Sequence, residues 1–156
     1  MSLASAPAFA VGIDADTARS RSGLRVLVMY ERGSNGAAAL AEGVKQTAAG
    51  GELTVVTLAP QAAPSRCCGP GPGFYNCAVR DEATQELQEA HAILGPASAR
   101  TTFKALIERR DPPLARWAHE QGFQLVLVPS HRLTPGGNRA ARKLRRSVTA
   151  EVRVVG

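Results

Sequence analysis

A chain of 156 residues with 44% apolar and 21% charged residues is expected to form one soluble globular domain, long enough to bury a core. It contains no run of eighteen apolar residues, which excludes a membrane-spanning helix. The net charge of +6 is local: six Lys or Arg lie between Arg132 and Arg146, with no acid from Gln121 to Ala150, while the other thirteen bases balance the thirteen acids.

Met1 to Gly23 is rich in Ala and Ser without a period and is expected to be a flexible tail. No Lys or Arg precedes its apolar stretch Ala4 to Ile13, a poor fit to a secretory signal. The domain proper then runs from residue 24 to residue 156. Leu24 to Tyr30, LRVLVMY, reads as a first strand. Ser34 can cap a helix over Asn35 to Ala49, with Ala37, Leu40, Ala41, Val44 and Ala48 at helical spacing. Small residues on that helix suit close packing on a sheet.

Glu52 to Leu58, ELTVVTL, is the second strand. A long loop from Ala59 to Asn76 is expected next, followed by an amphipathic helix over Ala78 to Leu94. That helix carries Val79, Ala83, Leu87, Ala90 and Leu94 on one face, with Asp81 and Glu82 in its first turn. Arg100 to Ile107 suits strand and helix alike, and context selects strand. Asp111-Pro112-Pro113 supplies a cap and a Pro-started helix to Gln121. Gly122 ends it, and Phe123 to Pro129, FQLVLVP, reads as a strand buried on both faces. A basic helix over Gly136 to Arg146 and a last strand, Glu151 to Val155, complete the chain. Strands alternating with helices predict an α/β fold: a single-domain open five-stranded parallel sheet with helices on both faces.

These pieces in this order resemble the universal stress protein family. The carriers are LRVLVMYERGSNGAAAL, the Arg110-Asp111-Pro112 step, WAHEQGFQLVLVPSH and the closing strand Val152 to Val155. The resemblance implies a sheet order of 3-2-1-4-5, a ligand crevice between strands 1 and 4, and a homodimer paired through Glu151 to Val155. It also implies a stress-response or regulatory role without catalysis, with ATP or AMP as the family's ligand. The family's nucleotide-binding members carry G-x-x-G-x9-G-[S/T] after the fourth strand, where glycines admit backbone amides to the phosphates. Here Pro129 and Arg132 take the first two Gly positions, and Arg142-Lys143 stands near the Gly-Ser. Ser130 and His131 match the usual residues between them, and Glu31 takes the place of the acid that touches the nucleotide. With the glycines lost, no cofactor is expected.

Three readings of the crevice therefore stand side by side. In the first it is an unloaded regulatory module. In the second an adenine nucleotide or other phosphate ligand binds through Glu31, Ser34, Ser130, His131, Arg132, Gly136, Gly137, Arg139, Arg142 and Lys143, the guanidinium groups replacing the glycine cradle with charge. As a variant of this second reading, a small-molecule-binding or hydrolytic enzyme would use Glu31, Ser34, Ser130, His131 and the arginines of the same crevice. In the third the basic helix binds nucleic acid through phosphates, although no aromatic residue in that tract is available for stacking on bases. Solvation of a charged face explains the same helix without a ligand.

Cys67, Cys68 and Cys77 form an odd set within one stretch, which points to a reducing cytoplasm. As metal ligands they would need a fourth group such as His91. Cys67 or Cys68 could also close a disulfide with Cys77, but packing of small side chains in a Gly/Pro loop is the favoured account of all three.

Overall fold

The computed structural model describes residues 23–62, 72–131 and 137–156, with only the helical backbone at 137–140. Five strands alternate with four helices: β1 (Arg25–Met29), α1 (Gly36–Thr47), β2 (Glu52–Ala59), α2 (Pro72–Leu94), β3 (Thr101–Ile107), α3 (Leu114–Glu120), β4 (Leu125–Pro129), α4 (Gly137–Ser147) and β5 (Glu151–Val155). All pairings are parallel and the sheet order is β3-β2-β1-β4-β5, as the sequence led us to expect. The order reverses between β1 and β4, where Val26 to Val28 lie in register with Leu125 to Leu127.

Alternation of side chains along each strand divides the core in two. Val26, Val28, Leu53, Val55, Leu125 and Leu127 meet Ala39, Leu40, Ala90 and Leu94 of α1 and α2. Leu27, Val56, Leu106, Val126, Val128 and Val152 meet Ala118 of α3 and Ala141 and Leu144 of α4. Every residue of β4 is buried, because the strand is central and covered on both faces.

Several local expectations need correction. The buried face of α1 is Gly36, Ala39, Leu40 and Gly43, while Ala37, Ala41 and Ala48 are exposed. Hydrophobic spacing misjudged this face because glycine carries no apolar signal. Ser34 does not cap α1: its hydroxyl donates to the Glu31 carbonyl at 2.6 Å, and Asn35 occupies the cap position without a side-chain cap bond. Helix α2 starts at Pro72, not Ala78, so the expected loop ends earlier and Asp81 and Glu82 lie beyond the first turn. A proline is tolerated there because the first turn's N–H groups have no helical partner.

After α2, Gly95 turns left-handed (φ +53°) into a short 3-10 segment, Gly95–Arg100. Asp111 is not the cap of α3, which is Pro113. Its carboxylate instead accepts the Ile107 N–H at 2.8 Å and pairs with Lys104 at 3.5 Å. That bond holds the Asp111 carboxyl below the usual range, with the Lys104 charge adding to it. The residues before Pro112 and Pro113 are biased away from helix, which delays α3 to Leu114. On α4, Ala141 and Leu144 face inward, and Arg142, Lys143, Arg145 and Arg146 are exposed. No helix among the described residues is long and apolar enough to cross a membrane.

Candidate ligand crevice

The carboxyl ends of β1 and β4 diverge at the point where the strand order reverses, the usual ligand position in an open α/β sheet. Glu31 follows β1 and His131 follows β4, and their side chains meet: His131 Nε2 lies 3.1 Å from Glu31 Oε2. Beside them Asn35, just before α1, donates from Nδ2 to Ser130 Oγ at 2.6 Å, and its backbone N–H donates to the Ser130 carbonyl at 3.0 Å. The Ser130 N–H in turn donates to the Val155 carbonyl at 2.8 Å. Ser130 thus ties the start of α1 to the end of β5, and Gly156 packs directly against its side chain.

The fold therefore brings together Glu31, Ser130 and His131. Ser34 lies in the same turn as Glu31, its hydroxyl held by that residue's carbonyl. Gly137 is the first residue of α4. Among the described residues no hydrogen bond or ion pair joins Arg142 or Lys143 to the Glu31, Ser130 and His131 group; both are exposed on α4. Arg132, Gly136 and the side chain of Arg139 lie outside the described residues, as do Cys67 and Cys68 and the tail up to residue 22. Pro129, at the first Gly position of the motif, has no backbone N–H to offer a phosphate.

For the hydrolytic alternative, Ser130 Oγ is bonded to Asn35 and not to a base. Cys77 is an exposed free thiol on α2. His91, fourteen residues further along that helix, is about 20 Å away by helical rise and faces the Phe103 ring at 5.3 Å. It cannot complete a metal site with Cys77. No cluster of three His, Cys, Asp or Glu side chains suited to a metal occurs among the described residues.

Sequence reasoning missed an acidic group on the α2 side of the same strand end. Glu86 is 8% exposed, and its Oε1 accepts the Arg32 N–H at 2.9 Å. Arg32 also pairs with Glu89 at 3.1 Å. Burial, and next the Glu89 carboxylate, hold the buried Tyr30 phenol above its usual range. Burial likewise raises the Glu86 carboxyl; the Arg32 bond opposes this, and the charges of Glu82 and Glu31 reinforce it. The one available signal was an acid on an inward stripe, between Ala83 and Ala90.

A raised folded-state carboxyl favours protonation. The stability it contributes is complete below its ordinary value of 4.5 and is lost as pH rises through the folded value. At neutral pH the ionised Glu86 is a net cost. Glu86→Gln keeps a carbonyl for the Arg32 N–H and removes the buried charge. It should gain on the order of 1 kcal/mol at pH 8, or about 2–4 °C in Tm, shrinking toward zero near pH 4. Thermal melts across pH check this; a gain that persists unchanged at pH 4 contradicts it.

No protein-family model matches the chain, and no curated protein matches it. Solved structures do match. A protein of the universal stress protein family from Burkholderia pseudomallei superposes with a TM-score of 0.66 at 19% identity, covering 85% of this chain and 96% of that one. The universal stress protein UspA from Lactobacillus plantarum gives 0.63 at 12% identity, over 86% of this chain and 99% of its own. A universal stress protein solved in complex with cAMP gives 0.54 at 15% identity, with coverages of 86% and 99%. With the strand order observed here, these likenesses establish that the chain has the fold of the universal stress proteins.

Proposed function

We propose that this chain is a regulatory, stress-response module of universal-stress-protein type that acts in the cytoplasm without catalysis and does not hold ATP in the family's manner. The observation that carries the reading is the crevice mouth, where polar groups are bonded to one another. Glu31 meets His131 and Asn35 meets Ser130, and each contact would have to be exchanged for contacts to a nucleotide. Pro129 removes a donor amide where a phosphate cradle needs one, and the motif's glycine positions hold other residues, with Gly136 and Gly137 at the wrong spacing. The expected result is a flat thermal-shift response to ATP, ADP and AMP, and no nucleotide released when the purified protein is denatured. Stabilisation that grows with nucleotide concentration contradicts the proposal.

A second reading keeps a phosphate ligand. It is favoured by Arg142, Lys143 and Arg146, exposed on α4 without an ion pair among the described residues, and by the fold neighbour solved with cAMP. The same titrations, extended to cAMP, separate the two readings. A nucleic-acid role for α4 predicts binding at low salt that falls steeply as salt rises.

The module is further proposed to dimerise. β5 lies at the sheet edge with one side of its ladder unpaired, and edge strands are generally covered or blunted. Light scattering across a dilution series tests this, and a monomer at every concentration removes it.

A further inference from the structure

A second hollow lies away from the crevice, over the carboxyl ends of β2 and β3 on the α3 side of the sheet. Its volume is about 520 Å³, within the range of small-molecule sites. The walls are Leu58, Leu106, Ile107, Pro113 and Leu114, with Glu108, Arg109 and Asp111 among its polar lining. Its origin is local. Asp111 and Pro112 each precede a proline and are biased away from helix, so α3 begins late and runs only seven residues. Leu58, which points to that face, is consequently left 46% exposed on a strand otherwise largely buried.

The charges at this hollow are unevenly satisfied. Asp111 is engaged by Lys104 and the Ile107 N–H, and Glu108 accepts the Gln61 N–H at 3.0 Å. Arg109 has neither a hydrogen bond nor an ion pair from its side chain among the described residues. It also lines a second, more polar hollow of about 330 Å³ that adjoins the first and includes Arg80 and Arg110. Arg109 is the one described non-glycine residue with a left-handed backbone, φ +68°. Glycine adopts that conformation without the penalty an L side chain incurs. A guanidinium is thus presented where the turn itself would favour no side chain, and such strain commonly accompanies a functional position.

We propose that this hollow binds a small amphiphilic carboxylic acid, its apolar body against Leu58, Leu106, Ile107 and Leu114 and its carboxylate on Arg109. An apolar wall edged by one guanidinium that is unpaired among the described residues matches one apolar body with one negative charge. Glu108 and Asp111 on the same rim oppose a dianion, which favours a carboxylate over a phosphate monoester.

Octanoate and octan-1-ol are suitable probes, titrated by calorimetry into the whole chain. Octanoate should bind saturably. Arg109→Gly relieves the left-handed strain, so the variant should fold; it should weaken octanoate about tenfold while leaving octan-1-ol unchanged. Leu58→Glu, at a half-exposed position, should abolish binding of both. Glu31→Gln, in the crevice, should leave octanoate affinity unaltered, which separates this site from the one proposed above. The inference is overturned by absence of saturable octanoate binding at millimolar concentration, by equal octanoate affinity in Arg109→Gly, or by loss of binding in Glu31→Gln.

Discussion

Leu127→Ala should destabilise the chain by about 2–5 kcal/mol, the usual cost of removing a fully buried leucine and leaving a cavity. Leu127 has no exposed surface, sits in the middle of β4 between β1 and β5, and packs toward α1. Strands on both sides and a helix above prevent the site from collapsing, so the upper half of the range is expected. A domain of this size has roughly 5–15 kcal/mol in total. The urea midpoint should therefore fall steeply with little change in slope. Leu58→Ala is the control: it removes a side chain of similar size from a half-exposed position, and should cost well under half as much. Equal losses from the two would mean that the core does not centre on β4.

The same strand was the most legible part of the sequence. Six apolar residues among the seven from Phe123 to Pro129, bounded by Gly122 and too few for a helix, pointed to a strand covered on both faces, and Leu125 to Pro129 is that strand. Alternation of such runs with helices fixed the parallel topology. Legibility failed where the decisive group was one that hydrophobic spacing ignores. Gly36 and Gly43 are two of the four buried residues of α1, yet contribute nothing to an apolar period. Glu86 lies inward on α2, where one backbone N–H, that of Arg32, gives it a partner 54 residues away in sequence. Ser34 and Asp111 have the chemistry of caps, but tertiary folding gave each a closer acceptor or donor within its own turn.

At the crevice, the sequence placed Glu31, Ser130 and His131 among ten candidate ligand residues, and the fold brings Glu31 into contact with His131, the residue after Ser130. Asn35 was passed over because its bond to Ser130 spans 95 residues and leaves no local pattern. The hollow over β2 and β3 was missed because Asp111-Pro112-Pro113 was read as the start of α3, whereas it delays that helix to Leu114 and shortens it.

Gly43 shows how tightly the crevice depends on packing beneath it. A Cβ added there would stand 2.7 Å from Val28 Cγ2 and 2.9 Å from Leu53 Cδ1, closer than carbon atoms approach in folded proteins. Both neighbours are buried in the sheet and have little room to swing. Gly43→Leu should therefore lift α1 from β1 and β2 and cost about 1–3 kcal/mol or more, against a gain of about 1 kcal/mol in helix propensity that partly masks it. Ala41→Leu, exposed on the same helix, should change stability by less than about 0.5 kcal/mol.

Displacement of α1 would be felt at Asn35, which immediately precedes it and carries both bonds to Ser130. Hydrogen exchange of the Asn35 N–H should accelerate in Gly43→Leu and stay unchanged in Ala41→Leu. Pairing Gly43→Leu with Leu53→Ala opens space where the new side chain needs it, so the double variant should lose less than the sum of the single losses. Strict additivity, or unaltered exchange at Asn35, would show that the strain is absorbed within α1 and does not reach the crevice.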